Sequence, residues 1–166
     1  RAQQYLAALR SVGTVPAARQ HTDSHAFVAA LADTANALCR PAKLHFVLQE
    51  QWQGQFLCAA PELSRALENM LDNAVRYTPA GGTVTLTISK ADGDVAFTVT
   101  DTGPGFTPEA LHKAGQFLYT DAARPGNGHQ GLGLYLARSV AQAYGGKLVL
   151  ANTGTGAQVQ LCLPMQ

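Results

Sequence analysis

The strongest constraint on this chain is a doubled alternation centred on Asp92-Gly93. Val84, Leu86 and Ile88 alternate with threonines and a serine, and Val95, Phe97 and Val99 resume the pattern after the Asp-Gly pair. A period of two puts one set of side chains on one face, so each run reads as a half-buried strand. Asp-Gly suits a two-residue hairpin turn. The segment predicts an antiparallel hairpin with one apolar face, and that face requires a covering layer.

Helical patterns elsewhere supply the cover. Phe27, Leu31, Ala35 and Leu38 share one face of a helix that Asp23 or Ser24 can cap and Pro41 ends. Pro61 suits the first turn of a second helix, which buries Leu63, Leu67, Met70, Leu71 and Ala74. Pro108 opens a short helix reaching Ala114, and a further helix from Leu132 to Tyr144 is closed by Gly145-Gly146. Residues 44–48 and 55–58 read as two short strands around Trp52-Gln53-Gly54, and residues 147–151 and 157–163 as a last hairpin. Hairpins separated by helices predict an α+β fold: a two-layer sandwich with a mixed, mostly antiparallel sheet and helices on one face. The strand–helix alternation of a parallel Rossmann sheet, its G-x-G-x-x-G turn and the G-x-x-x-x-G-K-[ST] phosphate loop are absent.

The 166 residues suit one domain, and 46% hydrophobic against 14% charged residues marks a globular chain. A net charge of +1 gives no ground for a nucleic-acid partner or an anionic membrane surface. No apolar stretch is long enough to cross a bilayer. Cys39, Cys58 and Cys162 each sit among apolar residues and read as buried free thiols in a reducing compartment. The five histidines show no metal-site pattern. The chain begins at Arg1 with neither methionine nor signal peptide, and is expected to be an excised piece of a longer protein. Residues 1–12, with Tyr5, Leu6 and Leu9 on one face, read as the tail of a longer helix. Residues 13–22 read as a linker, and residues 23–166 as the domain. Residues 115–130, with Pro125, Gly126 and Gly128, show little periodicity and read as a lid.

Three motifs carry the chemistry. The run V-T-D-T-G-P-G-F ends an apolar strand in a lone aspartate, Asp101, followed by Gly103 and Gly105. The two glycines permit backbone approaches that a Cβ blocks, although D-x-G-x-G also occurs in ordinary turns. Upstream, Asn69, Asn73, Arg76 and Tyr77 recur at helical spacing beside the apolar stripe of the second helix. Asparagine is a poor mid-helix residue, so two on one stripe ask for a reason beyond a solvated surface. Arg76 can grip phosphate with two hydrogen bonds, or rest as a helix-end cation. Tyr77 either packs on a ligand or closes the core. Downstream, Gly131-Leu132-Gly133-Leu134 opens a helix after the lid. Free N–H groups at such a terminus attract phosphate, while a bare G-L-G-L also serves helix packing.

In that order, the three motifs resemble the nucleotide-binding boxes of sensor histidine kinases within the GHKL ATPase superfamily, over roughly residues 12–164. The resemblance implies a Bergerat-type ATP-binding fold with ATP and Mg²⁺ as ligands. It places Asn73 on the Mg²⁺ ligand, with Asn69 one turn earlier in the catalytic and nucleotide-binding set. Arg76 falls on the phosphate-contacting position and Tyr77 beside the nucleotide. Asp101 falls on the adenine-reading carboxylate, with Gly103 and Gly105 shaping the pocket. Gly131, Leu132, Gly133 and Leu134 fall on the phosphate-binding helix start. Phe117 resembles the F-box phenylalanine, but Tyr119 stands where the family often has arginine. Arg124 is then the basic lid residue placed to reach the γ-phosphate. His129 stands where the family often has glycine.

The implied function is the ATP-binding catalytic domain of a two-component sensor kinase. Such a domain passes the γ-phosphate to a histidine on a dimerisation helix pair. No histidine of this chain is read onto a suitable long helix, so that acceptor is expected to precede Arg1. The implied partners are the protein's own dimerisation domain and a response regulator. The parent is expected to be a homodimer, with this piece monomeric and on the cytoplasmic side of a membrane-anchored protein. Hydrolysing relatives of the gyrase or chaperone kind usually carry a glutamate four residues before the Mg²⁺ asparagine, where this chain has Asn69. That departure favours transfer over hydrolysis. An anti-sigma-factor serine kinase and a non-catalytic nucleotide-binding module are the other readings.

Overall fold

The Asp92-Gly93 pair turns the chain with φ of 55° and 81°, the two positive values that a type I′ hairpin turn requires. The computed structural model describes residues 18–113 and 132–165. Its elements run β1 (Gln20–Asp23), α1 (Ser24–Cys39), β2 (His45–Glu50), β3 (Gln55–Cys58), α2 (Ala60–Tyr77), β4 (Thr83–Ala91), β5 (Asp94–Asp101), α3 (Pro108–Lys113), α4 (Leu132–Ala143), β6 (Lys147–Asn152) and β7 (Ala157–Pro164). Five strands form one sheet in the order β2-β4-β5-β7-β6. Its β2–β4 pair is parallel and the other three pairs are antiparallel. The expected mixed, mostly antiparallel sheet is therefore present.

Register stacks the core across the strands. Leu86 lies opposite Val99, which lies opposite Val159; Ile88, Phe97 and Leu161 form the next row. All six are buried, and the apolar faces of α1 and α2 close over them through Phe27, Val28, Leu31, Leu63, Leu67 and Met70. Phe27, Phe56 and Phe97 meet with ring centroids 5.8–5.9 Å apart. These rings join the helix layer to the sheet and supply much of the buried area. Cys39, Cys58 and Cys162 are buried free thiols, as their apolar settings predict. Burial pushes all three thiols up, which leaves them poor nucleophiles.

One local expectation changes, and one open alternative resolves to Asp23. Strands β2 and β3 do not pair with each other; β3 pairs antiparallel with β1, whose residues 20–22 belong to the expected linker. The reason lies in Gly54. Its N–H donates to the Ser24 hydroxyl and its carbonyl accepts from the Ser24 N–H, both at 2.9 Å. The connection after β2 is thereby tied to the start of α1, and β2 is free to extend the main sheet beside β4. Asp23, not Ser24, caps α1, accepting from the Ala26 N–H at 2.9 Å. Among the described residues, no helix is long and apolar enough to cross a membrane.

The helix bearing the amide stripe begins without a side-chain cap of its own, at Ala59. The Ala59 N–H donates to the Tyr144 hydroxyl at 2.6 Å, so the residue just after α4 closes the start of α2. Arg19 stacks on the Tyr144 ring at 4.0 Å and donates to the Ala143 carbonyl at 2.8 Å. Tyr144→Phe keeps the ring but strands a buried donor, a loss of roughly 1–3 kcal/mol. A urea titration of both forms is expected to show that drop in midpoint with an unchanged slope.

Candidate nucleotide site

Strand β5 places the carboxylate. Val95, Phe97, Val99 and Asp101 fall on the same side of a strand of period two, so Asp101 points with the core residues toward the helix layer. It is the last of them, opposite Val84 at the end of the sheet, and only 5% exposed. Its Oδ1 accepts from the Gly103 N–H at 2.9 Å and from the Ala157 N–H at 3.3 Å. A buried carboxylate without donors would be costly, and these two bonds hold it in place.

The loop beyond Asp101 closes on the end of α2. A Cβ at Gly103 would lie 2.7 Å from the Tyr77 carbonyl oxygen and 3.1 Å from Asp101 Oδ1. Only glycine lets the loop come so near the helix. Gly105 holds φ of 80°, which reverses the chain toward α3.

The second group lines α2. Asn69 is buried, Asn73 follows one turn later and half-buried, and Tyr77 ends the helix 6% exposed. The structure thus brings the amide stripe up to the Asp101 loop through Tyr77 and Gly103. Arg76 leans back along its helix, with Nη2 3.0 Å from Asp72 Oδ2. Its Nε is buried with no hydrogen-bond partner. An orphaned guanidinium N–H beside the stripe fits an anion, which would satisfy it. Among the described residues no three His, Cys, Asp or Glu side chains converge. A Mg²⁺ held by one amide oxygen and phosphate oxygens needs no such cluster.

The third group opens α4. Leu132 and Gly133 begin this helix, and Leu134 is buried in the common core. Phe117, Arg124, His129 and Gly131 lie outside the described residues. Among the histidines, His25 sits in the first turn of α1 with Nδ1 2.9 Å from Glu50 Oε2. The bond to Glu50 holds its pKa above the ordinary value.

Sequence reasoning gave little weight to the β6–β7 turn. A Cβ at Gly156 would run into the Asp101 carbonyl, and the Ala157 N–H reaches the Asp101 carboxylate. Asn152, at the end of β6, bonds the main chain of Phe106. The glycines of residues 154–156 were a visible sign of a turn, but nothing in the sequence said which loop it touches.

A buried carboxylate at the end of the sheet's central strand, a glycine loop against an amide-bearing helix and a second helix packed on that helix define a nucleotide-binding ATPase module. Residues 58–166 match the family described as histidine kinase-, DNA gyrase B-, and HSP90-like ATPase, and the chain belongs to that family. It is 42% identical over 107 residues to the sensor histidine kinase SpaK of Bacillus subtilis, a match covering 63% of this chain and 23% of SpaK. It is 37% identical over 105 residues to the histidine protein kinase DivJ of Caulobacter vibrioides, covering 62% of this chain and 18% of DivJ. The chain thus spans about a fifth of the length of these relatives. Among solved structures, the mycobacterial sensor histidine kinase MprB superposes with a TM-score of 0.77 at 23% identity, over 89% of this chain and 99% of that one. Full-length ShkA in complex with AMPPNP gives 0.85 at 24% identity, over 98% of this chain and 35% of that one. These two likenesses establish the fold.

Proposed function

We propose that this chain is the ATP-binding catalytic domain of a two-component sensor histidine kinase. It presents Mg-ATP to a histidine on a dimerisation helix pair, from which a response regulator takes the phosphoryl group. The observation that carries this reading is the buried Asp101 carboxylate, joined through Gly103 to the end of the Asn69–Asn73–Tyr77 stripe. Asp101 accepts from the exocyclic amine of adenine. Asn73 offers its amide oxygen to Mg²⁺, and Arg76, with Nε unpartnered, turns to the phosphates. Arg124 steadies the γ-phosphate from the lid, and the helix start at Gly131 to Leu134 receives the phosphate chain. The relatives' names support the kinase reading over other activities of the family. Asn69 supports it too: an amide one turn before Asn73 takes no proton from water, so hydrolysis has no base there. The parent is proposed to be a membrane-anchored homodimer with this domain on the cytoplasmic side.

Incubation with labelled ATP and a dimerisation helix pair supplied in trans tests the reading. Label is expected on a histidine of that pair, and it is expected to be acid-labile. The chain without the pair is expected to turn ATP over slowly, because positioning supplies much of phosphoryl-transfer catalysis. Acid-stable label on a separate protein would point to serine. Brisk hydrolysis by the chain alone would point to an ATPase.

A further inference from the structure

We infer that Asn152 is a positioning residue of the nucleotide site, holding the Gly103–Phe106 loop in the shape that receives the base. The inference rests on the nucleotide reading above and adds to it a residue on the opposite side of the loop from α2. Asn152 ends β6 and is exposed, where an asparagine would ordinarily be solvated. Its carboxamide is instead spent on one residue's main chain. The Phe106 N–H donates to Asn152 Oδ1 at 2.7 Å, and Asn152 Nδ2 donates to the Phe106 carbonyl at 2.9 Å. A main-chain N–H only donates and a carbonyl only accepts, so these two bonds fix the amide's orientation. The pair works as a single rung of a sheet made by a side chain.

The loop is thereby pinned at both ends by one turn. At its start, Ala157 reaches the Asp101 carboxylate; at its end, Asn152 holds Phe106. Asn152 and Ala157 face each other in the β6–β7 register. The turn between them is braced internally. Thr153 Oγ1 accepts from the Gly156 N–H at 3.0 Å, and the Thr153 N–H donates to the Gly156 carbonyl at 2.8 Å. Gly105 belongs to the same frame, since a Cβ there would lie 3.0 Å from Asn152 Oδ1. The turn and the start of the loop touch at Gly156, and beyond that contact an open cavity of about 270 Å³ lies between Gly103–Gly105 and the turn, where the Asn152 tie spans the gap. Phe106 is buried in the core on the other side. Releasing the clamp therefore loosens Gly103 to Gly105 without emptying the core.

Calorimetry with ADP, Mg-ADP and adenosine, alongside amide exchange by NMR, decides the matter. Asn152→Ala is expected to weaken all three ligands by about tenfold, because the loop serves the base end. The Phe106 amide is expected to exchange at least about tenfold faster, with the thermal midpoint lowered by no more than about 4 °C. Asn152→Asp keeps the shape and the acceptor but sets an oxygen against the Phe106 carbonyl, and is expected to behave the same way. It decides the question if the alanine form does not fold. Faster exchange with unchanged affinities, a loss confined to Mg²⁺-dependent binding, or unfolding of both variants would each overturn the positioning role. A wild-type chain that binds neither ADP nor adenosine refutes the nucleotide reading itself. Wild-type binding with unaltered variants refutes only the role of Asn152.

Discussion

Asp101→Asn is expected to fold and yet lose ATP by about 100-fold, equivalent to about 2.7 kcal/mol. The side chain does two things in one place. Oδ1 accepts from the Gly103 and Ala157 N–H groups, and the carboxylate as a whole is proposed to accept the adenine amine. Asparagine keeps one oxygen for the two main-chain donors, so the loop and the β6–β7 turn stay tied. Its NH2 group then faces the ligand, donor against donor, in a setting 5% exposed to water. An unmatched polar pair in such a place discriminates far more strongly than a missing methylene. Guanine presents a carbonyl where adenine presents an amine, so GTP is expected to gain what ATP loses. Calorimetry with both nucleotides on both proteins reads this directly. An Asp101→Asn form that still prefers ATP to GTP would remove Asp101 from base recognition. Asp101→Ala is the less informative change, because it also strands two buried N–H groups.

What the sequence disclosed follows from how local each signal is. The β4–β5 hairpin was legible because its alternation and its Asp-Gly turn agree, and the burial of Asp101 follows from the same period. Helix α2 was legible because its apolar stripe and Pro61 mark it within one segment. Its stripe of Asn69, Asn73 and Tyr77 then falls beside the core by geometry alone. Strand β1 was not legible, because Gln-His-Thr-Asp has no apolar alternation and forms a strand only by pairing with β3. The parallel partnership of β2 with β4 was equally hidden, since it joins segments far apart in the sequence, as does the tie of Gly54 to Ser24 across thirty positions of chain. Asn152 was hidden for a related reason. An asparagine at a strand end reads as a turn residue, and its hold on Phe106 is a contact between distant segments. Within the site, motifs contiguous in sequence were found and the braces that cross from another strand were not.

Asn73→Ala is expected to separate metal from base. In the proposed site, the Asn73 oxygen touches Mg²⁺ and nothing on adenine, so Mg-ATP binding should fall by at least about tenfold while adenosine holds within about twofold. The substitution is unusually clean for a helix interior. Alanine has the better helix propensity, by roughly half a kcal/mol, so α2 should be no less stable than before. Asn73 is half-buried and not part of the apolar core, so its removal leaves no large cavity. A lower thermal midpoint would therefore be unexpected, and an unchanged or higher one rules out a damaged helix as the cause of lost binding. ATP measured with a chelator supplies the remaining control. If Asn73 acts through the ion, the variant and the wild-type chain converge once Mg²⁺ is removed, because the difference between them was the metal's share of the affinity. Loss of adenosine binding equal to that of Mg-ATP would instead mean that Asn73 shapes the pocket. A difference that persists in chelator would mean that its amide meets the phosphates directly.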